Sequence, residues 1–165
     1  MQRRSLLGVL RWTLLGIGAL FALVLQQSAF SRLPVWGAVP SLVPVAVALA
    51  AMWEGPESGG LFGLCVGVVW FLSGARYGPM YIFLLPLSAV LVGIVCRDYL
   101  SHTLLSALLM TMGTLLLCEG AVLLLQLYLG TGRPLVFLAM LGYSACFVFP
   151  FYPIVRLIQF FNKNV

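Results

Sequence analysis

Six long apolar runs follow one another along this chain, almost free of charge, and no other feature limits its fold so severely. Crossing the hydrocarbon of a bilayer takes roughly 20 apolar residues, with a range of about 17 to 25, and charges and prolines mark where each crossing stops. Read that way, the spans cover 12–30, 35–53, 56–74, 79–96, 103–129 and 134–151. Of the 165 residues 62% are hydrophobic and 8% charged, against roughly a quarter charged in a typical soluble domain. A soluble core could not hide that much apolar surface, so the solvent for most of the chain is lipid. The fold class expected is an all-α membrane protein, a single integral domain over 1–165 made of about six transmembrane helices.

Prolines and charges refine the segments. Pro40 and Pro44 fall near the start of the second span, whose outer end should be kinked or irregular. Glu54-Gly55-Pro56-Glu57 is a polar turn, with Pro56 suited to the first turn of the third span. Pro86 should bend the fourth, the fifth is long enough to tilt, and Pro150 and Pro153 should end the sixth before a short exit carrying Arg156 and Lys163. The N-terminus has a basic start and an apolar run like a secretory signal. That run is long, however, and Gln27 stands where cleavage wants a small residue, so it reads as an uncleaved first span.

Basic residues set orientation. With the N-terminus inside, Arg3, Arg4, Arg11, Arg97, Arg156 and Lys163 are cytoplasmic, while Arg32, Arg76 and Arg133 lie outside. This majority puts both termini in the cytoplasm of a multi-pass membrane chain. The net charge of +5 belongs to that arrangement and to anionic headgroups, since no basic and aromatic surface of the kind that binds nucleic acid is present.

Chemistry is sparse. The chain has four carboxylates and one histidine. Asp98 and His102 stand four apart, one helical face, but lack the third ligand a zinc site needs. Ser73 has no nucleophile motif around it, and no paired Asp-x-x-Asp supports metal-dependent phosphotransfer. Cys65, Cys96, Cys118 and Cys146 are too scattered for a disulfide framework. The expectation is therefore no enzyme, no metal and no cofactor.

Two features stand out instead. Glu119 falls inside the fifth apolar run, where a carboxylate is expensive; it is either a proton or cation site, a polar lock onto a partner helix, or a carboxyl bonded within the bundle. Gly59, Gly63 and Gly67 recur every four residues on one face of the third span, a stripe that lets helix backbones approach closely, whether inside the chain or against another.

The order of features from Pro40 to Gly93 resembles the bacterial rod shape-determining protein MreD family. These are Pro40-Ser41-Leu42 opening the second span, the turn Glu54-Gly55-Pro56, the Gly59-Gly63-Gly67 stripe, Leu72-Ser73-Gly74, Tyr77-Gly78 and the late Gly93. The chain departs at Trp70, where many members carry an acidic residue, and at Val39, where an arginine often precedes the proline. Either this chain does without that acid, or Glu119 substitutes for it from a neighbouring helix. The resemblance implies a six-span, non-enzymatic scaffold of the elongasome, the cell-shape machinery that inserts peptidoglycan along the side wall. Its partners would be a single-span MreC-like protein and, indirectly, MreB filaments and a RodA-type glycosyltransferase with its transpeptidase. Gly59, Gly63, Gly67, Gly74, Gly78 and Gly93 would then serve helix packing or partner binding. The competing reading is a substrate-binding S subunit of an energy-coupling-factor vitamin transporter. Such a subunit docks through small-residue patterns, as Ala46 and Ala50 could, and lines an outer pocket, for which Trp36, Arg76, Tyr77 and Arg133 are available.

Overall fold

The computed structural model describes residues 2–28, 37–75, 77–99 and 103–163. Seven helices follow in chain order: α1 (Gln2–Ser28), α2 (Leu42–Glu54), α3 (Pro56–Leu72), α4 (Gly78–Asp98), α5 (Leu104–Tyr128), α6 (Pro134–Cys146) and α7 (Val148–Lys163). All the regular elements among the described residues are thus helical, the all-α class the composition dictates. Three stretches are long and apolar enough to cross a membrane: α4, α5 and the near-continuous Pro134–Ile158 formed by α6 and α7. Two shorter apolar helices, α2 and α3, complete the hydrophobic set.

Several boundaries differ from those read in the sequence, each for a local reason. Helix α1 begins ten residues before Trp12, at Gln2, because no proline or cap separates the basic start from the apolar run. Residues 29 and 30, the expected end of that span, lie outside the described residues. Helix α2 has only 13 residues, against the 19 of 35–53. The segment from Gly37 to Ser41 is not helical. Pro40 drives the residue before it out of the helical region, whereas Pro44, in the first turn, leaves no donor missing. At ~1.5 Å rise per residue α2 is about 20 Å long, short of the ~30 Å hydrocarbon layer.

The last span is also corrected. Pro150 and Pro153 do not end it; both lie inside α7, which runs to Lys163. The break falls earlier, at Phe147 between α6 and α7. A proline cannot donate to the residue four before it and its ring crowds that carbonyl. For Pro150 that residue is Cys146, where α6 stops, and Pro150 then sits in the tolerant first turn of α7. The middle boundaries agree closely: Pro56 is the first residue of α3, and Thr103 caps α5, its hydroxyl accepting from the Ser106 N–H at 3.3 Å.

The short α2 is the centre of the bundle. From Leu42 to Met52 every residue but Ala46 is buried. It packs against α1, α3, α4, α5 and α7, and its core residues Val45, Val47 and Leu49 have no exposed surface at all. Outside it the exposed side chains are large and apolar, among them Leu61 and Leu72 on α3, Phe83 on α4, Leu124 on α5 and Leu135 on α6. An apolar exterior around a buried central helix is the inverse of a soluble protein and fits lipid as the outer solvent.

Candidate functional site

Helices α3 and α4 form the tightest pair in the molecule. A Cβ added to Gly63 would stand 2.9 Å from the Leu85 carbonyl oxygen, and one on Gly67 would stand 3.0 Å from that of Tyr81. At Gly93 it would meet the Pro56 nitrogen and Cα at 2.5 Å, and at Gly78 the Phe71 Cα at 3.0 Å. Gly59 faces α2 instead, with the Ala51 Cβ 2.7 Å away. The stripe therefore packs within the chain, as do Gly78 and Gly93. Gly60, which the four-residue spacing passes over, belongs to the same surface, its missing Cβ 2.6 Å from Val90 Cγ2. Gly74 differs from the others: nothing lies within 4 Å of its position, but its φ of +79° is one that side chains rarely adopt. It makes the turn after α3 and takes no part in packing.

The second construction surrounds Ser41, where the chain enters α2. The first N–H groups of a helix lack partners within it, and in a membrane water cannot supply them. Here side chains from other helices do. Gln26 of α1 accepts through Oε1 from the Leu42 N–H at 2.8 Å and from the Val43 N–H at 3.2 Å. Ser144 of α6 accepts from the Ser41 N–H at 2.9 Å. The Ser41 hydroxyl donates to Glu119 Oε1, and the Tyr81 hydroxyl neighbours the same carboxyl. Glu119 thus stands beside the positive end of the α2 dipole with two hydroxyl groups at hand, an arrangement suited to a buried carboxyl group.

This node is deep. Glu119 lies nine residues before Tyr128 on α5, about 13 Å along the axis, and Ser144 ten residues into α6, about 15 Å. Its reach extends to α3, because Tyr81 stacks on Trp70 with ring centroids 4.3 Å apart and an interplanar angle of 14°. Trp70 is thereby linked through Tyr81 to the neighbourhood of Glu119.

Above the node opens a cavity of about 670 Å³ between the 37–39 segment, α5, the 131–133 loop and α6. Glu119 reaches its lining, Gln126, Thr131 and Arg133 supply further polar groups, Tyr77 closes one side, and Val122, Val136, Phe137 and Met140 give apolar walls. Gln126 and Thr131 are tied locally, since the Thr131 N–H donates to the Gln126 carbonyl at 2.9 Å. At the opposite end of the bundle Arg11 of α1 pairs with Glu54 at the end of α2. The two carboxylates Glu54 and Glu119 thereby belong to opposite ends of the same central helix.

Other groups singled out in the sequence lie elsewhere or outside the described residues. The Asp98 and His102 pair cannot be placed because His102 lies outside the described residues, as do Arg32, Trp36 and Arg76. Ser73 accepts from Gln27 Nε2 at 3.0 Å and donates to the Trp70 carbonyl, a turn contact between α1 and α3. Cys96 and Cys118 are buried and free, the latter 3.8 Å from the Ser88 hydroxyl. Among the described residues no three potential metal ligands cluster. Of the node only Glu119 stood out in the sequence. Gln26, Ser41, Tyr81 and Ser144 are single polar residues in or beside apolar runs, a signal shared with Ser88, Thr111 and Thr114, whose hydroxyls donate to the carbonyls of their own helices. Comparison of the chain with protein-family models, with characterised proteins and with solved structures finds no match.

Proposed function

We propose that the chain is a non-enzymatic membrane scaffold of the MreD type. It crosses the bacterial inner membrane six times with both termini in the cytoplasm, holds an MreC-like single-span partner and supports side-wall peptidoglycan synthesis. The observation that carries this reading is the unit formed by α2, α3 and α4. Residues Pro40 to Gly93, which bear the resemblance, fold as one block, and five of the six glycines named for it lie where helices approach most closely. A block with a largely apolar exterior suits a protein that presents fixed helix faces to other helices, where close packing rather than the hydrophobic effect drives association. Alternation of the helices supports the inward termini: Arg11 lies in the first half of α1, level with Glu54 at the end of α2, while Arg97 comes at the end of α4 and Arg156 within α7, all expected on one side.

The direct test is affinity purification of the full chain from membranes of its own host. An MreC-like single-span coiled-coil protein should remain bound through mild detergent. Recovery of an ATPase pair with a membrane coupling subunit in its place would overturn the scaffold reading. The cavity over Glu119 is the one observation that favours this alternative, an S subunit of a vitamin transporter, because such a subunit needs a mixed polar and apolar pocket. The small-residue pair weakens it: Ala50 is buried and Ala46 half-buried, both lining the junction of α2 with α1 and α7. Neither is free on the surface for docking.

A further inference from the structure

The geometry points to a small-molecule site in the cavity between α5, α6 and the 37–39 segment, shaped for an elongated zwitterion with an acidic group at Arg133, an amine at Glu119 and an apolar body between them. This inference stands on the cavity and does not depend on the scaffold reading.

Size comes first. About 670 Å³ lies within the roughly 300 to 1,000 Å³ of small-molecule pockets, far more than one or two waters need. Polarity is then divided by depth. Arg133 is exposed at the rim, and among the described residues it makes no ion pair, the Arg11–Glu54 contact being the pair found there. A guanidinium presented this way takes a carboxylate through two parallel N–H donors. At the floor, a carboxyl group offers about four acceptor positions. Ser41 occupies one at Glu119 and the neighbouring Tyr81 hydroxyl can take a second, so acceptor capacity remains for the cavity that Glu119 lines. A buried carboxyl with capacity to spare recognises a donor, best a cationic one.

Between the two charges the walls are apolar, from Val122, Val136, Phe137 and Met140. Spacing follows from α5. Seven residues separate Glu119 from Gln126, whose carbonyl holds the loop leading to Arg133, so the floor and the rim lie about 10 Å apart along the helix axis. A molecule with its charges at that separation, and methylene groups between, satisfies both ends at once. One with a single charge leaves either Arg133 or Glu119 unanswered.

The test uses three probes of equal length on the full chain in detergent micelles, with protein-free micelles as the blank: 8-aminooctanoate, octanoate and octylamine. Calorimetric titration should show saturable binding of 8-aminooctanoate at least about tenfold tighter than of either single-charge probe, the scale of one charge-assisted contact. Arg133→Gln should bring the zwitterion down to the affinity of octylamine, and Glu119→Gln to that of octanoate. Arg133 is exposed, so its variant should fold even where Glu119→Gln does not; in that case the ratio of zwitterion to octanoate on the unaltered chain reads the Glu119 end. Equal binding of all three probes means partition into an apolar groove and overturns the proposal. So does an Arg133→Gln variant that keeps full preference for the zwitterion, or no binding of 8-aminooctanoate.

Discussion

The α3–α4 hairpin and the entrance to α2 both bring backbones together inside an apolar surrounding, by opposite means. In the hairpin, Gly63, Gly67, Gly78 and Gly93 remove side chains until one helix rests on the backbone of the other. Gly63, Gly67 and Gly93 lie inside helices and the Gly78 N–H donates to the Ala75 carbonyl at 2.9 Å, so contact needs only shape. At the entrance to α2, Pro40 has interrupted the helix and left donors open, so contact needs chemistry: a glutamine, two serines, a tyrosine and a glutamate from different helices. A dry contact of the first kind is rigid and serves architecture. The second kind leaves groups with spare valence, and the cavity forms beside it.

Breaking the dry contact should have the largest effect. In Gly93→Leu the new Cβ alone would sit 2.5 Å from the backbone of Pro56, which cannot swing aside as a side chain could. The loss should exceed the roughly 1–3 kcal/mol usual for overpacking a core. Gly63→Leu, against the Leu85 carbonyl, should behave alike. Thermal unfolding in detergent reads both, and an unchanged Tm in either would break the distinction between the two regions.

Next comes the wet contact. Gln26→Leu removes the acceptor of both Leu42 and Val43 and keeps a side chain of similar length. Leaving a buried donor unmade costs about 1–3 kcal/mol, so the variant should lose a few kcal/mol at most. Hydrogen exchange should rise at the first turn of α2 while amides of α3 and α4 keep their protection. Exchange rising equally in all three helices would mean that the node and the hairpin are one cooperative unit.

Trp70 tests the link between them. It belongs to the hairpin, yet stacks on Tyr81, whose hydroxyl belongs to the node. Trp70→Leu should forfeit the stacking, about 0.5–1.5 kcal/mol. In a double-mutant cycle with Tyr81→Phe, which keeps the ring and drops the hydroxyl, a coupling near zero says that the ring serves only packing. A coupling of about 0.5 kcal/mol or more says that the stack positions the hydroxyl on Glu119.

The two regions were not equally legible in the sequence. The hairpin is local: its glycines recur at helical spacing within about forty residues of chain, and close packing between neighbouring helices follows from that pattern. Whether the stripe faced inward or toward a partner was open, since spacing fixes a face but not what lies against it. The node joins residues 26, 41, 81, 119 and 144, each unremarkable in its own run, and only Glu119 was costly enough in lipid to be noticed alone. The shortness of α2 was half legible. Pro40 announced an irregular start, but hydropathy carried the span back to Val35 because apolar residues continue through the non-helical segment. At the far end the prolines misled, for Pro150 breaks the helix at the residue whose carbonyl it would crowd and then joins the next one.

The smallest effect should have the opposite sign. Gly113 lies on the exposed face of α5 with no atom within 4 Å of where a Cβ would stand, and Gly142 is similarly open on α6. At such a position glycine contributes nothing to contact and weakens the helix by up to about 1 kcal/mol relative to alanine. Gly113→Ala should therefore leave Tm unchanged or raise it by a degree or two, while the same change at Gly93 lowers it, although both glycines sit inside apolar helices. The comparison becomes sharper with a partner present. If Gly113→Ala stabilises the isolated chain but reduces recovery of a single-span partner from membranes, then the bare face of α5 is a second close-packing surface, turned outward. If recovery and stability rise together, close approach through glycine in this molecule is confined to the α2–α3–α4 block, and a partner must dock by other means.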